Sequence, residues 1–213
     1  MMEKHGVISI PDWVWEFHGH ICPFMPIGYR MGYVAMRELG IKRVKDHGAF
    51  AFSEMGVGHP QTCMMDGVMA VTGCTYGKLM MERLGYGKVA TILFAQGKGA
   101  VRVYLRSEFQ DELGKKEFFV YRKKGIEPSD IPPNVTKEAV DMVLEASDEA
   151  LFKVEKLPDF IFGRPKGSFA KMKCSKCGEY VFERYVRTVD GKPMCIPCSD
   201  HAQTWVNVLK GVQ

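Results

Sequence analysis

Val89-Ala-Thr-Ile-Leu-Phe-Ala95, Gln96-Gly-Lys-Gly99 and Ala100-Val-Arg-Val-Tyr-Leu-Arg106 read as two strands and the turn that joins them. Both arms are rich in β-branched and aromatic residues, and the paired glycines supply the reversal of a hairpin. Consecutive strands joined this tightly pair antiparallel, so any domain built on them carries a mixed or antiparallel sheet. Upstream, the patterns are largely helical. Pro11-Asp12 opens a short aromatic segment ending near His18, and Met31, Val34, Ala35 and Leu39 recur at helical spacing from about Ile27 until Gly40. Ala49 to Ser53 reads as a strand, Gly56 to Gln61 as a loop, and Cys63 to about Thr72 as a helix with Thr62 as N-cap. A further helix is expected over Lys78 to Leu84 and a strand over Phe118 to Tyr121. After the Pro132-Pro133 breaker, a helix capped by Thr136 carries Ala139, Val140, Val143, Leu144 and Leu151 on one side. Helices interspersed with a block of strands define an α+β domain.

The 213 residues are 46% apolar and 25% charged, a balance that excludes disordered and fibrous classes. No apolar run approaches the roughly 20 residues of a membrane helix. The start, MMEKHGVISIPDW, lacks the apolar stretch and cleavage site of a signal peptide, so a cytoplasmic protein with no membrane partner is expected. Charge divides the chain. Residues 1–158 hold 20 Lys and Arg against 20 Asp and Glu, whereas residues 159–213 hold 9 against 5, so the whole net +4 lies at the end. The seven cysteines divide as well, with Cys22, Cys63 and Cys74 early and Cys174, Cys177, Cys195 and Cys198 late. A loop with Pro158, Gly163, Pro165 and Gly167 separates the groups, which sets expected domains of 1–158 and 159–213.

Cys174-Ser-Lys-Cys177 and Cys195-Ile-Pro-Cys198 are two CxxC knuckles whose thiolates can surround one Zn²⁺. A redox dithiol accounts for one CxxC but not for a matched pair in an intracellular chain. Such binding is worth about 10–16 kcal/mol in apparent terms, so the small domain should need the ion to fold. Asp190-Gly191 marks a hairpin between the knuckles, and Ala202, Trp205, Val206 and Leu209 form the apolar face of a following helix. Knuckle, hairpin and knuckle opening a helix describe a treble clef better than an all-β ribbon. That helix carries few groups able to reach base edges, Gln203 and Asn207 being its only amides, which weighs against sequence-specific nucleic-acid binding.

His18-Gly-His20-Ile-Cys22 places three metal-binding side chains at alternate positions, which share one face of extended backbone. Alone, this fits a pair of surface histidines beside a buried cysteine. Cys63 adds a thiol at a helix start, where the dipole favours thiolate, with Asp66 one turn on. His20, Cys22 and Cys63 then form a metal- or thiol-centred site, with His18 as fourth ligand or as a group behind it. Cys74 stands roughly 16 Å from Cys63 if the intervening helix is continuous. The small-residue loop Thr72-Gly-Cys74-Thr75-Tyr-Gly-Lys78 is suited to cradle an anion or substrate headgroup, which makes Cys74 and Thr75 candidate cofactor contacts. If the metal is catalytic, with three ligands and an open position, Asp66 and Lys78 are the candidate proton-transfer or orienting groups.

The chain resembles the FmdE family, which belongs to the molybdenum/tungsten formylmethanofuran dehydrogenase system. The likeness rests on His18-Gly-His20-Ile-Cys22-Pro23, Gly28-Tyr-Arg30-Met-Gly32, Cys63-Met-Met-Asp66-Gly67-Val68 and Thr72-Gly73-Cys74-Thr75-Tyr76-Gly77-Lys78, in order. Phe24 and Leu79-Met80 depart from the family pattern. The resemblance implies an α-β-α-β-β-β core like that of the glyceraldehyde-3-phosphate dehydrogenase catalytic domain, and a homodimer. It also implies a link to one-carbon metabolism, with formylmethanofuran dehydrogenase or another protein as partner. A metal carrier or sensor, or a module that binds nucleic acid or protein through the finger, is the alternative. The expected cofactors are a structural Zn²⁺ in the tail and a second transition metal, zinc by its donors, at His18, His20, Cys22 and Cys63.

Overall fold

A computed structural model describes residues 9–56, 58, 61–163 and 167–199. The chain divides into two compact units, residues 1–162 and 163–213. The first begins with α1 (Asp12–His18), α2 (Phe24–Leu39), β1 (Ala49–Ser53) and α3 (Met64–Thr72). A single 3₁₀ turn leads into β2 (Met81–Arg83), followed by β3 (Ala90–Ala95) and β4 (Gly99–Leu105). Then come α4 (Ser107–Gly114), α5 (Glu117–Lys123), α6 (Pro133–Glu145), α7 (Asp148–Leu151) and β5 (Phe152–Leu157). The expected α-β-α-β-β-β order is present as α2 to β4. The sheet runs β2-β1-β3-β4-β5, with β1 and β2 parallel and every other pair antiparallel.

All five residues of β1 are buried, which its Ala-Phe-Ala-Phe-Ser sequence permits on both faces. Phe50 and Phe52 share a face with their β3 neighbours Phe94 and Ile92. Phe162 covers this face, with ring centroids 4.7 Å from Phe50 and 4.9 Å from Phe52, and Phe160 lies 5.5 Å from Phe52. The segment after β5 is therefore part of the first unit through Phe162. Arg30 on α2 is 1% exposed; its guanidinium donates to the Val143 carbonyl at 2.6 Å and to Asp148 Oδ1 at 2.7 Å. It thus satisfies the end of α6 while its charge is paired at the start of α7, as a buried cation requires.

Five expectations differ from the structure. Lys78 to Leu84 is not a helix: Ala51 N–H donates to Met80 and Leu84 N–H donates to Ser53, so the open edge of β1 recruits Met81–Arg83 as a strand. Phe118 to Tyr121 is helical, within α5, with Phe118 buried, Glu117 in the first turn and Arg122 and Lys123 in the last. The helix before Leu151 breaks at Ala146; Ser147 caps α7 by accepting from Ala150 N–H, and Phe152 begins β5. Thr136 lies inside α6 rather than at its cap, and Cys63 rather than Thr62 precedes the first residue of α3.

α2 and α3 touch backbone to backbone. A Cβ added at Gly28 would lie 1.9 Å from the Met64 carbonyl oxygen, and one at Gly67 would lie 2.2 Å from Met25 oxygen and 2.4 Å from Tyr29 nitrogen. Neither neighbour is a side chain that can swing away. Gly28→Ala should therefore destabilise the first unit by about 3 kcal/mol, the upper range for overpacking, measured by denaturant unfolding. An unchanged midpoint would show that the helices can separate at no cost.

Candidate metal centres

Asp12 starts α1, and Gly19, in left-handed conformation at φ 85°, ends it by donating to Trp15 oxygen. The reversal turns His20 back across His18, and their rings lie 4.2 Å apart. Cys22 follows, buried, two residues before α2, while Cys63 immediately precedes α3. One ligand atom from each of His18, His20, Cys22 and Cys63 lies within 4.8 Å of the others. His18 Nε2 is 3.2 Å from His20 Nε2 and 3.5 Å from Cys22 Sγ, and His20 Nε2 is 3.8 Å from Cys63 Sγ. Tetrahedral zinc with bonds of about 2.05 Å to nitrogen and about 2.3 Å to sulfur sets edges of roughly 3.3 Å for N···N and 3.6 Å for N···S. The four donors fit that ion.

Asp66, one turn into α3, accepts the Nδ1 proton of His18 at 2.8 Å. The bond fixes the tautomer that offers Nε2 to the cluster. Burial opposes charge on His18, yet its hydrogen bonds to Asp66 and Cys63 prevail and lift its pKa to about 9. The bond from Cys22 holds Cys63 near 4 against its burial, with His18 adding to the effect, and the same sharing together with burial pushes Cys22 upward. The cluster thus holds a proton on His18 and another on Cys22, both displaced when a cation enters.

Cys74 is fully buried and outside this group; its N–H is bonded to Thr72 Oγ1, and burial raises its thiol. Thr75 precedes the 3₁₀ turn Tyr76–Lys78. Lys78 donates to the Lys45 carbonyl at 2.9 Å, so its ammonium is engaged there. Of the expected groups, the structure joins Asp66 to the His/Cys cluster, as a partner of His18, while the loop residues Cys74, Thr75 and Lys78 form a separate neighbourhood.

In the second unit, β6 (Lys171–Lys173) and β7 (Tyr180–Phe182) pair antiparallel, as do β8 (Val186–Val189) and β9 (Lys192–Cys195). The Asp190-Gly191 turn falls between the latter two, as the sequence indicates. Cys174, Cys177, Cys195 and Cys198 bring their sulfurs within 4.8 Å of one another, with Cys177 and Cys195 4.0 Å apart. Backbone N–H groups of the knuckles, those of Cys177 and Cys195 foremost, draw the Cys174 thiol down to about 6. Strand residues in this unit are mostly exposed, and Cys174 and Ser199 are the buried ones among those described. Among the described residues little apolar surface is buried here, and the four-cysteine cluster brings the two hairpins together. The helix expected after Cys198 lies outside the described residues, beyond the 3₁₀ turn Pro197–Ser199.

Among known proteins, the chain is 32% identical over 195 residues to "Probable S-adenosyl-L-methionine-binding protein" of Archaeoglobus fulgidus, covering 86% of this chain. It spans half the length of that relative. The crystal structure of a tungsten formylmethanofuran dehydrogenase FmdE-like protein from Syntrophus aciditrophicus has the same fold, with a TM-score of 0.56, 21% identity and 91% of each chain covered. Residues 167–200 match the prokaryotic dksA/traR C4-type zinc finger. Residues 17–153, more than half of the chain, match the model described as FmdE, molybdenum formylmethanofuran dehydrogenase operon, and the chain belongs to the FmdE family.

Proposed function

We propose that this FmdE-family chain binds one zinc ion in each unit and acts as an accessory protein to molybdenum/tungsten formylmethanofuran dehydrogenase or related one-carbon metabolism. The observation that carries the metal reading is the convergence of His18, His20, Cys22 and Cys63 at separations suited to tetrahedral zinc. The family description supports the metabolic setting. Cytoplasmic residence accords with it, and among the described residues no helix is long and apolar enough to cross a membrane.

His18, His20, Cys22 and Cys63 would hold the zinc, whose divalent charge would offset the two thiolates. Asp66 holds the His18 proton at Nδ1, leaving Nε2 as donor, and His20, Cys22 and Cys63 complete four protein ligands. A full set of four is the pattern of a site that fixes structure; a catalytic centre keeps one position open. The first unit then presents a rigid surface to its partner. Within this reading the chain is a homodimer and the tail a treble clef.

Metal analysis of purified protein should find two zinc ions per chain. Cys22→Ser and Cys174→Ser should each remove one, while a single zinc lost with Cys174→Ser and untouched by Cys22→Ser would refute the first centre. Asp66→Asn should weaken the first ion by about 10- to 100-fold in chelator competition, the usual effect of losing a partner behind a ligand. The second ion should keep its affinity. Co-elution with purified formylmethanofuran dehydrogenase on size exclusion is expected, and separate elution at micromolar concentrations would overturn the accessory role.

A further inference from the structure

In the β6–β7 hairpin of the four-cysteine unit, Lys171 stands opposite Phe182 and Lys173 opposite Tyr180. Directly opposed residues of an antiparallel pair project to the same side, so these four side chains share one face. Met172 and Val181, at the alternate positions, take the other. Tyr180 is 61% exposed and Phe182 51%. The two rings stand two positions apart on β7, roughly 6.6 Å along the strand, and form neighbouring flat platforms open to solvent.

The charge on this face is also without an acidic partner. Every ion pair among the described residues lies in the first unit. Residues 167–199 hold six lysines and arginines and three carboxylates, and no pair forms between them. Lys171 Nζ lies 4.5 Å from the centroid of the Tyr180 ring, and Lys173 Nζ lies 5.5 Å from it. Such contacts are weak at an exposed site, so either ammonium can move onto an anion that arrives. Glu179 and Glu183 flank β7 in sequence and are not members of the face. Four thiolates around a zinc ion leave two negative charges, so attraction for an anion comes from the cations of this face rather than from the unit as a whole.

Lysine is depleted from the desolvated centre of protein interfaces. Exposed rings bordered by cations are instead the elements that hold single strands, bases stacking on the rings while phosphates meet the charges. We propose that the β6–β7 face binds single-stranded nucleic acid, with successive bases on Tyr180 and Phe182 and with Lys171 and Lys173 on the phosphates. Stacking and charge read no base edges, so the scarcity of base-reading side chains after Cys198 does not bear on this mode. The binding is independent of the first metal centre and of any dehydrogenase partner.

The probes are fluorescein-labelled oligo(dT) and oligo(U) dodecamers, titrated with the zinc-loaded full chain and read by anisotropy at about 50 and about 200 mM salt. Saturable binding of both is expected at the lower salt, with a duplex of the same length bound at least tenfold more weakly because its bases are already stacked. Replacing both lysines, Lys171→Gln with Lys173→Gln, should reduce the slope of log affinity against log salt by about 1.4, the effect of two phosphate contacts on a single strand. Tyr180→Leu and Phe182→Leu, each checked for zinc content equal to the parent chain, should weaken both strands at least fivefold, the lower end of what one stacked base contributes. Lys98→Gln, at an exposed cation of the first unit, should change affinity less than twofold. Absence of saturable binding at about 100 μM chain and the lower salt would overturn the proposal. So would a duplex bound as tightly as the single strands, affinities unmoved by both leucine variants, or poly-L-glutamate displacing the strands charge for charge, which would point to an acidic protein instead.

Discussion

The backbone contact between α2 and α3 is the constraint on which the rest of the first unit depends. Gly28 and Gly67 let the two helices meet with no side chain between them. Cys22 lies just before one helix and Cys63 just before the other, so their interaxial distance decides whether the thiols can share an ion. Asp66, the neighbour of Gly67, is carried to His18 by the same approach. Of the two, Cys63 carries the negative sulfur, held by the hydrogen bond from Cys22 and by His18. Packing and chemistry are here one requirement, since a wider crossing would part the donors before it exposed much core.

The two units solve stability differently. The first buries a methionine- and phenylalanine-rich core around a five-stranded sheet and pairs its buried charges: Arg30 with Asp148, and Arg102 with Glu54 in two bonds of 2.6 and 2.9 Å. The second has short, exposed hairpins and four sulfurs. Ser175 N–H, bonded to Pro193 oxygen, ties one knuckle to the opposite hairpin and adds a cross-brace to the cysteines. Among the described residues of this unit, Lys171, Lys173, Lys176, Arg184, Arg187 and Lys192 are exposed, and only Cys174 and Ser199 are buried.

Much of this was legible in the residues, and the exceptions share a cause. Hairpins announce themselves within a few positions, and so do CxxC knuckles and the alternation of His18, His20 and Cys22. Cys63 could be added because a helix start is also a local signal. β2 could not be read, because Met81–Arg83 becomes a strand through the backbone of β1, some 30 positions earlier. The run Phe118 to Tyr121 is too short for periodicity to separate strand from helix. β5 did carry a sign, the alternation in Phe-Lys-Val-Glu-Lys-Leu, which the preceding helical pattern obscured. Lys78 looked chemically apt in a small-residue loop, yet sequence cannot reveal that the Lys45 carbonyl claims its ammonium. A cavity near His20 draws its walls from α1, the segment before α6 and α6 itself, and no single stretch betrays it.

Phe160 and Phe162 sit in what composition presents as connecting chain, yet they roof the aromatic side of the sheet over Phe50, Phe52 and Phe94. The boundary that composition suggests and the physical boundary are thus different objects. A fragment trimmed at the end of its last strand would keep every hydrogen bond of the ladder and still present three phenylalanine rings to water, a surface on which copies of the fragment would aggregate.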